Sequence, residues 1–352
     1  MGAGIVGLNC ALALRKREPK AKIVVLERGL LPKGASTKNA GFACFGSASE
    51  LLSDMNQHTE DEMRSLVEMR YKGIQLLRQN LGDKNIGYKN YGGYELFIKG
   101  DPEFFEACLE NRKRLNKILK PVFGKKVFEV KENKFGFRRI QDHMLYSAYE
   151  GQIDTGMMMS QLHRKCISES IHILYGVTLH TFEELNNQVH LETDLGGFQS
   201  GKLFVATNGF ARNLLDDEIK PARAQVLITS VIPKLKFKGT FHIDQGYYYF
   251  RNINGRVLFG GGRNLDIGGE QTEEFGETPL IQNKLETLLR EVILPETDFT
   301  IDHRWSGIMG VGESKLPILR QLSENVYCGV RLSGMGIALG SHTGRKLARL
   351  SE

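Results

Sequence analysis

No stretch of the 352-residue chain approaches the ~18 consecutive apolar residues that a membrane-spanning helix needs. No Cys-x-x-Cys occurs. The five cysteines, Cys10, Cys44, Cys108, Cys166 and Cys328, lie far apart, and none sits at zinc-site spacing from a histidine. Reduced thiols, a cytoplasmic protein and no bound metal are the expectation. No basic-then-apolar signal pattern occupies the first residues. Internal repeats and low-complexity linkers are absent. Charge of one sign is scarce as a block: the net charge is +6, from 47 basic and 41 acidic residues that mostly alternate. The densest basic run, from Lys125-Lys126 to Arg138-Arg139, is broken by Glu129 and Glu132. Neither nucleic acid nor a membrane is therefore an expected partner. With 41% hydrophobic and 25% charged residues, disorder and fibrous folds are excluded.

Glycine is what the chain has in excess. There are 39 in 352 residues, about 11% against a usual ~7%. They gather at 2–7, 34–46, 260–269 and 329–340, as in loops that bring backbone close to a ligand. Gly2-Ala3-Gly4-Ile5-Val6-Gly7 fits G-x-G-x-x-G. A helical stripe of Ile5, Leu8 and Leu12 follows, then the apolar strand Lys22-Ile23-Val24-Val25-Leu26, closed by Glu27. In such a unit the glycines permit a tight turn, close approach to a pyrophosphate and helix–sheet packing. The helix start faces the phosphates and the carboxylate takes a ribose hydroxyl. The fingerprint should follow a strand, yet here it follows Met1. A sheet without that strand leaves backbone groups of its neighbours unpaired. The expectation is a truncated sequence or a miscalled start; a chain that truly began at Met1 would have cofactor affinity and stability in doubt.

The second glycine cluster, Gly34-Ala35-Ser36-Thr37-Lys38-Asn39-Ala40-Gly41-Phe42, resembles the second flavin motif of the FAD-dependent D-amino acid oxidase superfamily, with Lys38 where arginine is commoner. Further matches follow in the family's order. They are Gly151-Gln152-Ile153-Asp154, with Thr155 in place of proline, Phe204-Val205-Ala206-Thr207-Asn208-Gly209 and Pro221-Ala222-Arg223-Ala224-Gln225-Val226. The last is the C-terminal motif of Gly329, Ser333-Gly334-Met335-Gly336 and Gly340. The resemblance spans the chain. It implies an α/β plus α+β fold, with a Rossmann-like FAD domain and an interleaved antiparallel-sheet substrate domain. The FAD domain would comprise 1–46, 147–228 and 302–352, and the substrate domain 47–146 and 229–301.

The resemblance also implies an oxidoreductase with non-covalent FAD, since no cysteine lies in the loop 308–316. Cofactor contacts would come from Gly2, Gly4, Ile5, Val6, Gly7, Glu27, Arg28, Ser36, Thr37, Lys38, Asn39, Ala40, Gly41 and Phe42. The later motifs would add Val177, Thr207, Asn208, Gly209, Gly307, Gly334, Met335, Gly336 and Ile337. A helix start at the last of these would stabilise a reduced, anionic flavin. The implied reaction takes a hydride from an amine or amino acid to flavin N5. The imine is then hydrolysed, and oxygen or another electron acceptor reoxidises the flavin. Oxidation of a 2-hydroxy acid is the alternative, followed by a flavin domain serving RNA modification and a non-catalytic relic.

The segments 60–81 and 103–119 have the stripes of amphipathic helices, and a third helix is expected near Leu280 to Val292. Residues 223–262 read as strands, including one from Phe241 to Arg251 and a hairpin about Asn254-Gly255. Along that strand, Tyr248 and Phe250 share one face, while Tyr247, Tyr249 and Arg251 share the other. Alignment with glycine oxidase puts Tyr248 on the substrate side. Tyr248 and Arg263 are thus the expected catalytic residues, and Phe45, Tyr248, Phe250 and Met309 the expected substrate contacts. Met309 stands where relatives carry an arginine for the substrate carboxylate. Arg251, Arg263 and Arg331 are candidate replacements. His242 and His303 bracket the segment.

Overall fold

The computed structural model describes residues 1–215 and 219–352. Helix Ile5–Arg17 begins directly after Gly4, and strand Val24–Glu27 follows it. That strand pairs in parallel with His172–Tyr175, while Leu203–Val205 pairs in parallel with Val326–Val330. Met1 and Gly2 bridge these two pairs. Gly2 N donates to Leu26 O at 2.8 Å, Ala206 N donates to Met1 O at 3.0 Å, and the Met1 amino group donates to Phe204 O at 2.6 Å. The expected unpaired edges are thus joined along this stretch by two residues of the glycine loop itself.

Three helices pack against one another at backbone distance. A methyl group added to Gly344, in the C-terminal helix Gly336–Arg349, would lie 2.5 Å from Val6 O. One added to Gly73, in helix Glu60–Leu81, would lie 1.8 Å from Ala338 O. Glycine is required at both places because the contact is with backbone, which cannot swing aside. The helices expected at 60–81 and 103–119 run from Glu60 to Leu81 and from Pro102 to Phe123. Thr59 and Glu62 cap the first reciprocally.

The largest sheet has eight strands, in the order Ile301–Val311, Lys220–Thr229, Arg256–Gly261, Tyr248–Ile253, Thr240–Ile243, Gly93–Leu96, His143–Ser147 and Glu129–Glu132. Thr240–Ile243 runs parallel to Gly93–Leu96, so the sheet is mixed rather than antiparallel throughout. The strand expected from Phe241 to Arg251 is two strands. Asp244, Gln245 and Gly246 take φ of 53°, 53° and 81° and turn the chain between them. Asn254 and Gly255, at 49° and 74°, make the expected hairpin.

Pleating gives the sheet two different faces. One rung, Phe241, Phe250, Phe259 and Leu227, points into a core closed by helix Pro279–Leu288 through Ile281 and Leu285. The next rung, His242, Tyr249, Gly260, Val226 and Trp305, points the other way.

The helix contacts give a stability test. Gly344→Ala should cost about 1–3 kcal/mol through overpacking against Val6 O. Gly201→Ala, where an added methyl meets nothing within 4 Å, serves as the control and should shift the urea midpoint little. Equal shifts in the two variants would show that the helix crossing is not close-packed.

Candidate active site

Between the helical layer and the second sheet face lies a cavity of about 800 Å³. That is toward the upper end of the ~300–1,000 Å³ usual for small-molecule sites. Helix Ile5–Arg17 and helix Gly336–Arg349 both begin at its wall. Neither has a side-chain cap bond at its N-cap, and neither has an acid in its first turn. Their first amide groups therefore remain available to an anionic or oxygen-bearing ligand.

The glycine loop is tied down from both sides. Glu27 Oε2 accepts from Ala3 N at 3.0 Å, and Oε1 accepts from Gly29 N at 3.1 Å. Ser36 Oγ accepts from Ile5 N at 3.0 Å. Gly2, at φ 95°, lies so close to Ala206 O that an added methyl would stand 2.7 Å away. Asn39 Oδ1 accepts from Gly41 N, bending the chain into the cavity wall. Arg251 Nε donates to Ala40 O from the opposite sheet. Asn208 Oδ1 accepts from Leu332 N at 3.1 Å and ties Thr207-Asn208 to the C-terminal glycine motif. Thr207 Oγ1 is buried in the wall without a partner.

Most of the residues expected to meet the cofactor line this cavity. Gly2, Gly4, Ile5, Val6, Glu27, Arg28, Ser36, Lys38, Asn39, Ala40, Gly41, Phe42, Val177, Thr207, Asn208, Gly307, Gly334, Met335, Gly336 and Ile337 all do. Gly7, Thr37 and Gly209 do not. A methyl on Gly7 would lie 2.0 Å from Gly2 O, and one on Gly209 would lie 2.6 Å from Met309 O, so both are packing glycines. Thr37 Oγ1 donates to the carbonyls of Pro32 and Gly34 and secures its own turn.

The expected substrate residues need correction. Tyr248 and Phe250 lie on the core face of the sheet, buried with Ile281 and Phe259. Phe45 is buried with Leu51 and Met63. The pleat instead turns Tyr247 and Tyr249 to the cavity, with Met309 and Arg263. Tyr249 lies flat over Gly260, where an added methyl would meet its ring at 2.7 Å. Burial pushes its phenol up to about 12, so the hydroxyl stays neutral. Gly307, paired with Ala224 on the neighbouring strand, lets Lys38 pack against the sheet: an added methyl would lie 2.8 Å from Lys38 Cβ. Of the candidate replacement arginines, Arg251 donates to a backbone carbonyl as above. Arg331 donates to Leu316 O and does not line the cavity. Arg263 lines it, and its guanidinium has no hydrogen bond or ion pair among the described residues.

Several wall residues were not among the expected contacts: Cys44, Glu50, Asp54, Arg70 and Lys315, and His242 only as a bracketing histidine. His242 Nε2 lies 3.3 Å from Glu150 Oε2, and both are buried. Burial opposes a charged imidazole here. The hydrogen bonds with Cys44 and Glu150 outweigh it and hold His242 well above the usual imidazole range. Phe42 meets both His242 and Tyr249 edge-on, at ring separations of 5.4 and 5.6 Å.

The donor set fits FAD: two open helix starts, a carboxylate at the strand end, and backbone amides of three glycine segments around one elongated cavity. Fold and site together define an FAD-dependent oxidoreductase. The chain belongs to the FAD dependent oxidoreductase (DAO) family, whose model matches residues 1–350.

It is similar to gamma-glutamylputrescine oxidoreductase of Escherichia coli, 23% identical over 372 residues and covering 99% of this chain and 82% of that protein. It is also similar to the probable oxidoreductase OrdL of Haemophilus influenzae, 21% identical over 372 residues and covering 99% and 81%. Among solved structures, glycine oxidase from Bacillus cereus superposes with a TM-score of 0.80 at 16% identity, covering 99% of this chain and 93% of that one. Iminodiacetate oxidase from Chelativorans sp. BNC1 superposes with a TM-score of 0.77 at 18% identity, also covering 99% and 93%. Among the described residues no helix is long and apolar enough to cross a membrane.

The His242–Glu150 pair carries a pH test. Because the folded value of His242 is raised, its contribution is full below the unfolded value near ~6.5 and is lost as pH rises through the folded value. Glu150→Gln should remove on the order of 3 kcal/mol at pH 6. It should also flatten the decline in stability towards alkaline pH. Parallel urea profiles for wild type and variant between pH 6 and 9 would refute the charged pair.

Proposed function

We propose that the protein oxidises the carbon–nitrogen bond of an amine or amino acid, with Arg263 taking a substrate carboxylate. The observation that carries this reading is the guanidinium of Arg263 on the cavity wall, without a partner among the described residues, while Arg251 and Arg331 lie off that wall on backbone carbonyls. It replaces the arginine that Met309 displaces. A guanidinium grips a carboxylate through two parallel hydrogen bonds, which fixes the neighbouring carbon as well as the acid. The names of the relatives, which refer to glycine, iminodiacetate and gamma-glutamylputrescine, support carbon–nitrogen rather than carbon–oxygen chemistry.

The glycine loop, Ser36–Phe42 and the segment Gly334–Ile337 would hold FAD without a covalent bond, with Cys44 as the one cysteine in the cavity wall. Bound FAD supplies the acceptor for the hydride leaving the carbon beside nitrogen. The protein's own task is then orientation and exclusion of water. Arg263 anchors one end of the substrate. The Tyr249 phenol, neutral at working pH, offers a hydrogen bond to the amine or the carboxylate. No strong base is required, because the amine reacts when it has already lost its proton. Hydrolysis of the imine gives a carbonyl compound and the freed amine or ammonia. The domain division above fits this reading, with cofactor and substrate on opposite sides of one cavity.

Anaerobic addition of amino acids and secondary amines should bleach the visible absorbance of the purified yellow protein. Arg263→Gln should raise KM for carboxylate substrates about 10–100-fold, as expected for a charged hydrogen bond worth ~1.5–3 kcal/mol. Amines without a carboxylate should be little affected. Bleaching by 2-hydroxy acids but by no amine would overturn the carbon–nitrogen assignment.

A further inference from the structure

One wall of the cavity carries charge that the chemistry above does not use. Glu50 and Asp54 stand four residues apart on helix Ala48–Asp54, so they share a face, and both line the cavity. Their side chains are only 11% and 5% exposed. A lysine ammonium lies between them. Lys315 Nζ is 3.1 Å from Glu50 Oε1 and 2.5 Å from Asp54 Oδ1. It arrives from the far side of the cavity, in the loop that follows strand Ile301–Val311, and is itself 37% exposed. Arg70 Nη1 completes the group, 2.8 Å from Phe45 O and 3.6 Å from Glu50 Oε1.

Two buried atoms in this group remain unsatisfied: Asp54 Oδ2 has no hydrogen-bond donor, and Arg70 Nε has no acceptor. Buried polar atoms without partners are rare in folded proteins, and in a cavity wall they mark where a ligand's polar atoms belong. The charges narrow the ligand further. With Lys315 in place the group is balanced, two acids against two bases. With its ammonium withdrawn to solvent, which its exposure allows, the wall holds one net negative charge facing the cavity. Burying that charge without a counter-ion is expensive, so a cation must replace it. What fits is a group like the one already there, a primary ammonium at the end of an alkyl chain.

We propose that Glu50 and Asp54 form an ammonium-reading subsite that Lys315 occupies as an internal competitor, and that preferred substrates carry a second, distal ammonium group. This rests on the reading of the cavity as an amine-oxidising site, and it adds the class of side chain that site selects. The ammonium takes the place of the Lys315 Nζ, donates to Asp54 Oδ2 as well, and frees the loop of residues 312–316. No covalent step is involved.

The test compares ligands that differ only at the distal end, lysine against norleucine and 1,5-diaminopentane against pentylamine, on the FAD-loaded protein. Binding is read from the perturbation of the flavin spectrum under anaerobic conditions, and turnover separately from bleaching. The dication should bind at least tenfold tighter within each pair. Lys315→Met should widen that ratio a further several-fold by removing the competitor, and Asp54→Asn should collapse it. Flavin content serves as the folding control, and Lys315→Arg provides a second variant that retains the competing charge. Ratios within twofold of one, in wild type and in Lys315→Met alike, overturn the proposal, as does a failure of any dication to bind. Selective binding of dications without any bleaching keeps the subsite and rejects the amine-oxidising reading. Bleaching by monoamines as efficient as by dications does the reverse.

Discussion

Two helices begin at one cavity with no side-chain cap from either N-cap residue. An α-helix start leaves four N–H groups without an internal partner, and most chains answer them with a side-chain oxygen. Here Gly4 and Met335 stand at the caps, and neither provides one. Ser36 satisfies a single amide, that of Ile5. The remaining donors of both helices face a common space, and the rest of the fold serves to keep them there. Gly344 allows the two helices to cross at backbone distance, Gly73 does the same for the helix behind them, and Glu27 holds the loop that aims the first helix. A site built this way is generic in its demand. It asks for phosphate and ring oxygens at fixed separations, not for particular side chains.

The other half of the cavity is set by pleating. Two adjacent rungs of the eight-stranded sheet send Phe241, Phe250 and Phe259 to a dry core and His242 and Tyr249 to the cavity. A slip of one residue would exchange the two sets completely. That is why Tyr248 is the instructive error of the sequence reading. The alternation itself holds, with Tyr248 and Phe250 on one face and Tyr249 and Arg251 on the other. The choice of which face meets the cavity rested on alignment to another enzyme, and the alignment picked the wrong side. The turn at Asp244–Gly246 lay hidden for a related reason. Two of its three positions hold ordinary side chains at positive φ, with no Asn-Gly pair to announce them.

What the sequence does disclose follows from locality. The glycine spacing, the helix stripe and Glu27 lie within thirty residues, so fingerprint and cofactor were legible from the chain alone. The Asn254-Gly255 hairpin is equally local. His242 finds Glu150 across 92 positions, and Lys315 finds Glu50 across 265. No periodicity connects such pairs. Their meeting depends on the parallel pairing of Thr240–Ile243 with Gly93–Leu96 and on the edge strand Ile301–Val311, whose following loop carries Lys315.

The two halves therefore hold their ligands by different physics. On the cofactor side the contacts are backbone amides and small residues, tolerant of most side-chain changes but not of any added carbon at Gly2, Gly4 or Gly7. On the opposite wall they are charged side chains from distant segments, with guanidinium, imidazole, carboxylate and ammonium groups balanced almost to neutrality. A balanced wall of this kind is easily re-tuned. Exchanging one charge alters which ligand satisfies it, while the sheet beneath keeps its rungs and its core. In the first half glycine geometry leaves little choice, because an added carbon would meet backbone or a neighbouring side chain. In the second, Met309 and Arg263 stand on a wall whose charges can change without disturbing the core behind it.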